Sequence, residues 1–318
     1  MKKGALVISL DFELVWGIFD HIDLKDKVAY FDNTLNAIPK MLEIFERHDM
    51  RVTWATVGML FNKNWEEWQN NIPTLLPTYD NAILNPYTYG NAHQKSGYDR
   101  FFFAPELIKT IQSVKGQEIG THTYSHYYCL EKGQTVAQFE ADLQQANLMA
   151  NQFNLKLTSL VFPRNQFNKN YLKVCSENQI ETVRTNPDDW YWDTTKTDAL
   201  FSKLARTGDA YLPFGKKSYT AESVHKATVV CQKASRFLRP QHQISVLNSL
   251  RLSRIKSEIV GAAQNGEIYH LWWHPHNFGF DTDNALKALQ EIALLYQHCN
   301  QVYGMESLTM KQISDNSI

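Results

Sequence analysis

Short apolar runs alternate along the chain with stretches in which apolar residues recur every three or four positions. Ala5–Leu10, Val52–Val57, Gln117–Thr121, Ser159–Phe162, Ile180–Arg184, Glu267–Trp273 and Glu306–Met310 read as short strands. Between them lie helical patterns over residues 33–48, Pro105–Val114, 135–152, Asn168–Asn178 and Asn284–His298. The first carries Leu35, Ile38, Leu42 and Phe45 on one stripe behind a cap at Asn33 or Thr34. Pro39 falls inside it and is expected to bend the helix or mark a late start. Gly116 follows the second as a C-cap. Strand followed by helix, about seven times over, predicts an α/β protein with a parallel sheet, and the length suits a (β/α) barrel.

Two stretches break the rhythm. Residues 62–100, rich in Asn, Tyr, Trp and Pro, read as a long loop excursion. Residues 203–256 hold eleven Lys or Arg against only Asp209 and Glu222, and read as a basic insertion. Neither resembles a linker, so one catalytic domain over 1–318 is expected. The basic stretch is by default a solvated helical face, but its imbalance suits an anionic partner such as a phosphate-bearing ligand or a membrane surface.

Composition narrows the function classes. A formal net charge of -1 argues against a general nucleic-acid binder. No window approaches the ~20 apolar residues of a membrane span. The apolar run after Lys2 and Lys3 covers only Ala5–Leu10 before Asp11 and Glu13 close it, too short for a signal core, so a cytoplasmic protein is expected. Cys129, Cys175, Cys231 and Cys299 form no CxxC pair, which leaves buried, reduced thiols as the expectation. Oligomeric state is not legible.

In strand–helix folds, function gathers where the strands end. Those ends here carry Asp11-Phe12-Glu13, His122 and His126, Phe162-Pro163-Arg164-Asn165, Asn186-Pro187-Asp188-Asp189-Trp190, and His270, His274 and His276 in HLWWHPHNF. Two histidines and a carboxylate make a three-ligand site with a position left for water, the catalytic rather than the closed structural pattern. A second carboxylate can take a proton from that water, a histidine can protonate a leaving group, and an arginine can keep the base ionised. These are the parts of a metal-assisted amide or ester hydrolase. Set against it, Asp188 and Asp189 could be turn formers, His270 a core residue, and most tryptophans core. Trp16 and Trp190, just past strand ends, are the better candidates to stack on a sugar, with Asn165 and His276 as further substrate contacts.

The order of these motifs resembles the polysaccharide deacetylases that share the NodB-type catalytic domain, carbohydrate esterase family 4. Ser9-Leu10-Asp11 stands where the family has Thr-Phe-Asp-Asp, and His122-Thr123-Tyr124-Ser125-His126 matches its His-Ser/Thr-x-x-His in full. Pro163-Arg164, Asp188-Asp189-Trp190 and Trp272-Trp273-His274 resemble its remaining motifs. The resemblance implies a distorted (β/α) barrel of about seven strands. It implies Asp11 as base, His122 and His126 as metal ligands, Arg164 paired with Asp11, and His274 as general acid tuned by Asp188 or Asp189. Phe12 replaces the family's metal-binding aspartate. Asp11 and Glu13 share a face of an extended segment, so Glu13 can supply the missing oxygen. The proline precedes Arg164 instead of following it.

The resulting expectation is a divalent-metal hydrolase, with zinc favoured and cobalt or nickel also suited to imidazole and carboxylate. Its substrate would be an N-acylated amino sugar, acetylated and phosphate- or lipid-linked, in surface-glycan biosynthesis. The rivals are an amidohydrolase on a small non-sugar amide and a non-catalytic sugar-binding protein on a decayed fold. A glycosidase using Asp11 and Glu13 fits poorly, since carboxylates two residues apart do not face each other across a bond.

Overall fold

The computed structural model describes residues 3–187, 189, 208–209, 211, 215–226 and 228–316. The strands are β1 (Ala5–Phe12), β2 (Val52–Thr56), β3 (Gln117–Thr121), β4 (Ser159–Val161), β5 (Thr182–Thr185), β6 (His225–Lys226), β7 (Val230–Lys233), β8 (Arg236–Phe237), β9 (Ile268–Trp273) and β10 (Glu306–Leu308). They form one sheet in the order β6-β7-β5-β4-β3-β2-β1-β9-β8, with β10 beside the first half of β1. Every pairing is parallel except β6 with β7. All eight residues of β1 are buried, as a central parallel strand covered on both faces requires.

The sheet curls. Residues Val230–Lys233 pair with β5 at one end of the order, and Arg236–Phe237 pair with β9 at the other. Only Ala234 and Ser235 separate them: the Ala234 N–H donates to Thr185 O at 2.9 Å and the Ser235 N–H to His270 O at 2.8 Å. One bent stretch therefore joins both ends of the sheet. Counted as a single strand, it completes the seven-stranded distorted barrel.

Residues 203–256 thus contribute β7 and β8 to the barrel wall and begin the long helix Ser245–Asn265; the stretch is not set apart as an insertion. Residues 62–100 are more than a loop. They hold the short helices Trp65–Asn70 and Pro86–His93, which carry Trp65, Trp68 and Tyr87 into the core. Asn64 and Asn85 cap them by accepting from backbone N–H groups.

The first long helix is Val28–Arg47 and runs through Pro39. Its buried stripe of Phe31, Ile38, Met41, Leu42 and Phe45 faces the barrel. Thr135 and Gln138 form a capping box at the start of Val136–Asn151. Because the wall strands are parallel, the ends of β1, β3, β5 and β9 open on one rim.

Candidate active site

The rim brings together Asp11, Glu13, His122, His126, His274 and His276, with an arginine that the sequence did not single out. Arg184, on β5, donates from Nη1 to Asp11 Oδ1 and from Nη2 to Asp11 Oδ2, both at 2.7 Å. Its Nη1 also reaches Ser9 Oγ at 3.0 Å and its Nη2 reaches Asn165 Oδ1 at 3.2 Å. The guanidinium lies 4.2 Å from the Trp272 ring centroid. Burial pushes the Asp11 carboxyl up, but Arg184, His122 and His274 outweigh it and hold the group below the usual carboxylate range.

The expected partner of Asp11, Arg164, lies elsewhere. It pairs with Asp20, sits 3.6 Å from Glu131 and stacks over the Tyr128 ring at 4.1 Å. It follows β4 in a left-handed conformation (φ 53), which carries its side chain outward. Arg184 could have been noticed as a lone cation inside a buried strand, but only tertiary structure sets it across the barrel from Asp11.

Glu13 lies just past β1. Its Oε2 is 3.3 Å from His122 Nε2 and 3.1 Å from His126 Nε2. Its Oε1 is 3.8 Å from His274 Nε2 and 3.6 Å from His276 Nδ1. His122 hydrogen-bonds through Nδ1 to Val161 O at 2.8 Å, which leaves the Nε2 lone pair aimed at the carboxylate. His126 Nδ1 meets Tyr128 Oη at 3.2 Å. Glu13 Oε2 and His122 Nε2 are both buried and make no hydrogen bond. Two ligand atoms of a tetrahedral ion with bonds of ~2.0–2.2 Å lie about 3.3–3.5 Å apart, close to these spacings. The donor set therefore fits a divalent cation held by Glu13, His122 and His126. Burial pushes the Glu13 carboxyl up, but His274, His122 and His126 hold it well below the usual carboxylate range.

The local backbone is bent to place these groups. Of the eight non-glycine residues with positive φ among the described residues, five are Leu14, Thr123, His126, Arg164 and Asn165, which follow the ends of β1, β3 and β4. The His122–His126 loop is clamped by Asp142, which accepts from Tyr124 N at 2.7 Å, Ser125 N at 3.1 Å and Ser125 Oγ. Gly17 makes room for Glu13: a Cβ there would sit 1.9 Å from the carboxylate carbon.

Other expectations fare differently. His274 Nε2 is 3.7 Å from Asp11 Oδ2, and its side chain, 24% exposed, is the most open of the histidines here. His276 is buried, and burial and His274 bring it down to about 3, so it is neutral. His270 is a buried residue of β9, as expected, with Nε2 2.8 Å from Ser9 Oγ. Asp189 pairs with Lys217 at 2.6 Å, so its carboxylate is engaged away from the role expected beside His274. Asp188 and Trp190 lie outside the described residues. Trp16 is no sugar platform: it is fully buried, donates to Phe102 O at 2.9 Å and stacks on Trp68.

A curled parallel barrel with carboxylates and histidines gathered on one rim defines a hydrolase-type site. The family model for polysaccharide deacetylase matches residues 23–183, about half of the chain, and this protein belongs to that family. It is accordingly a hydrolase of the deacetylase kind. The family generally uses a divalent metal. The match includes His122 and His126 but begins after Glu13 and ends before Arg184 and His274.

Among solved structures, a Mycobacterium smegmatis protein assigned to the polysaccharide deacetylases is 13% identical, with TM-score 0.62 over 99% of this chain and 90% of that one. One from Pseudomonas aeruginosa PAO1 with the same assignment is 12% identical, with TM-score 0.59 over 98% and 89%. The PuuE allantoinase is 11% identical, with TM-score 0.57 over 98% and 89%. At these identities the likeness is one of fold. No curated protein matches the chain. Among the described residues no helix is long and apolar enough to cross a membrane.

Proposed function

We propose that this protein is a metal-dependent deacetylase that removes an N-acetyl group from an amino sugar, and that 1–318 form one catalytic domain. The observation that carries the reading is the buried Glu13 Oε2 and His122 Nε2, both without a hydrogen-bond partner. Zinc suits two imidazoles and a carboxylate, with cobalt or nickel as substitutes. When bound, the ion supplies Lewis acidity toward the amide carbonyl and toward water.

The chain's own residues do the rest. Asp11, kept ionised by Arg184, takes the proton from the attacking water. His274 delivers a proton to the sugar nitrogen as the C–N bond breaks, because an amine anion leaves poorly. Its Nε2 sits 3.7 Å from Asp11 Oδ2, so both proton carriers face one reacting group. Asn165 is tied to Arg184 and lies where substrate would contact the rim.

We assign the substrate to phosphate- or lipid-phosphate-linked precursors of a surface glycan. Support comes from the basic stretch. Arg239 and Arg251, with Lys287, line a cavity of about 260 Å³ beside β8, next to the rim; Glu291 also lines it but pairs with Lys256. Such a cavity suits an anionic group.

The test is acetate release from N-acetylated monosaccharides, their nucleotide-linked forms and chitin oligomers, with zinc and after chelation. Zinc-dependent release is expected, fastest on the phosphate-linked sugar. Stoichiometric zinc with release only from small non-sugar amides would overturn the sugar assignment. Absence of both zinc binding and release would favour a decayed binding protein. His274→Ala is expected to impair an amide far more than an activated ester, whose leaving group needs no proton; equal losses would reject His274 as the acid, and a selective amide defect in His276→Ala would move that role.

A further inference from the structure

Glu13 does not face one pair of imidazoles but two, one on each oxygen. Oε2 looks at His122 and His126, at 3.3 and 3.1 Å. Oε1 looks at His276 Nδ1 at 3.6 Å and at His274 Nε2 at 3.8 Å. The second set is too widely spaced for hydrogen bonds. His276 Nδ1 is buried without a partner, although it points at a carboxylate oxygen. An unmade hydrogen bond in a buried site costs roughly 1–3 kcal/mol, so its retention calls for a reason.

We propose that Glu13 Oε1, His274 Nε2 and His276 Nδ1 form a second divalent-cation site, which shares Glu13 with the His122/His126 site. The proposal rests on the reading of that first site given above. The two Glu13–histidine spacings of the second set lie slightly above the ~3.3–3.5 Å ligand edge of a tetrahedral zinc ion, and all three ligand atoms lie within 4.8 Å of one another. His274 (φ -96, ψ 130) caps the 3-10 turn Pro275–Gly279, so the chain turns between positions 274 and 276, and Pro275 stiffens that step. The rings lie 4.9 Å apart and nearly parallel.

The second site is the weaker. The pocket holds one uncommitted carboxylate, because Arg184 already neutralises Asp11. Its first-site neighbour adds like charge. Occupation also has a chemical consequence. A cation on His274 Nε2 takes the lone pair that would carry the proton to the sugar nitrogen. The first ion therefore activates and the second inhibits, so the site senses excess metal.

The experiment is zinc titration of the full chain, read by equilibrium dialysis with elemental analysis and, in parallel, by acetate release. About two zinc ions per chain are expected at saturation, the second weaker. Excess zinc should lower the rate by about 100-fold, the scale of a lost general acid. His276→Gln should bind one zinc and lose the inhibition by excess zinc, read as the ratio of its own rates at low and high zinc. Cobalt absorbance of that variant keeps the result readable if its rate is low, since a folded chain still shows the first site. Saturation of the wild type at one zinc, or a second zinc that persists in His276→Gln, overturns the second site. Neither result touches the first site, which fails only if His122→Ala keeps its zinc.

Discussion

Asp11 and Glu13 stand two residues apart at the end of one strand and are equally buried, yet their surroundings are opposite. Each oxygen of Asp11 accepts from Arg184 at 2.7 Å, and a guanidinium does not give up its charge. Glu13 faces four imidazoles and no fixed cation. Imidazoles can be neutral, and burial lowers His126 and brings His276 to about 3. Asp11 is therefore complete within the chain, whereas Glu13 has no permanent cation beside it. A buried carboxylate needs a cation. The comparison separates two acids that look alike in sequence: one suited to hold a proton, the other to hold a metal.

The strongest way to break this comparison is to remove the metal side. His122→Ala and Glu13→Gln are each expected to lose stoichiometric zinc on dialysis and to reduce acetate release to background; either variant retaining one zinc per chain contradicts the ligand assignment. The next largest effect belongs to Asp11→Asn. It should keep zinc and lose about 100- to 10,000-fold in kcat. It also strands Arg184, so the melting temperature should fall, in line with the ~3–5 kcal/mol cost of breaking a buried pair. Zinc loss in this variant would mean the two carboxylates share one role.

Gly17→Ala sharpens the comparison without touching either acid. The new methyl overlaps the Glu13 carboxylate, so zinc affinity should drop by about 10- to 100-fold while circular dichroism stays unchanged. An unaltered Kd would show that the carboxylate can swing aside and still bind. The smallest effect is expected of Tyr128→Phe, which removes the hydroxyl beside His126 Nδ1. About a tenfold loss in zinc affinity, with little change in Asp11-dependent chemistry, is the outcome that fits.

Much of the fold was legible because parallel strands buried on both faces are short apolar runs. All seven expected strands are present, five with bounds shifted by a residue or two; β3 matches at both ends, and β1 runs two residues further, through Asp11 to Phe12. The helix read at 33–48 begins earlier, at Val28, because its buried stripe starts at Phe31 and Pro39 does not end it. The strands β6, β7 and β8 were not legible: the Lys and Arg between them hide the pattern, and β6 and β8 have only two residues each. At the site, the His122/His126 pair showed itself by spacing and Glu13 by its place after Asp11. Arg184 did not, since an arginine in a strand carries no signal until its partner is known.

The sequence by itself determined the alternation of strands and helices, and hence the rim on which Asp11, Glu13, His122, His126, His274 and His276 meet. These follow from local periodicity and chain direction. The tertiary structure alone decided which groups touch. It paired Asp11 with Arg184 across 173 positions and sent Arg164 to Asp20. It sank Trp16 into the core and set one histidine pair against each oxygen of Glu13. Such choices depend on how a closed sheet brings distant strand ends together, and strand spacing along the chain holds no record of that.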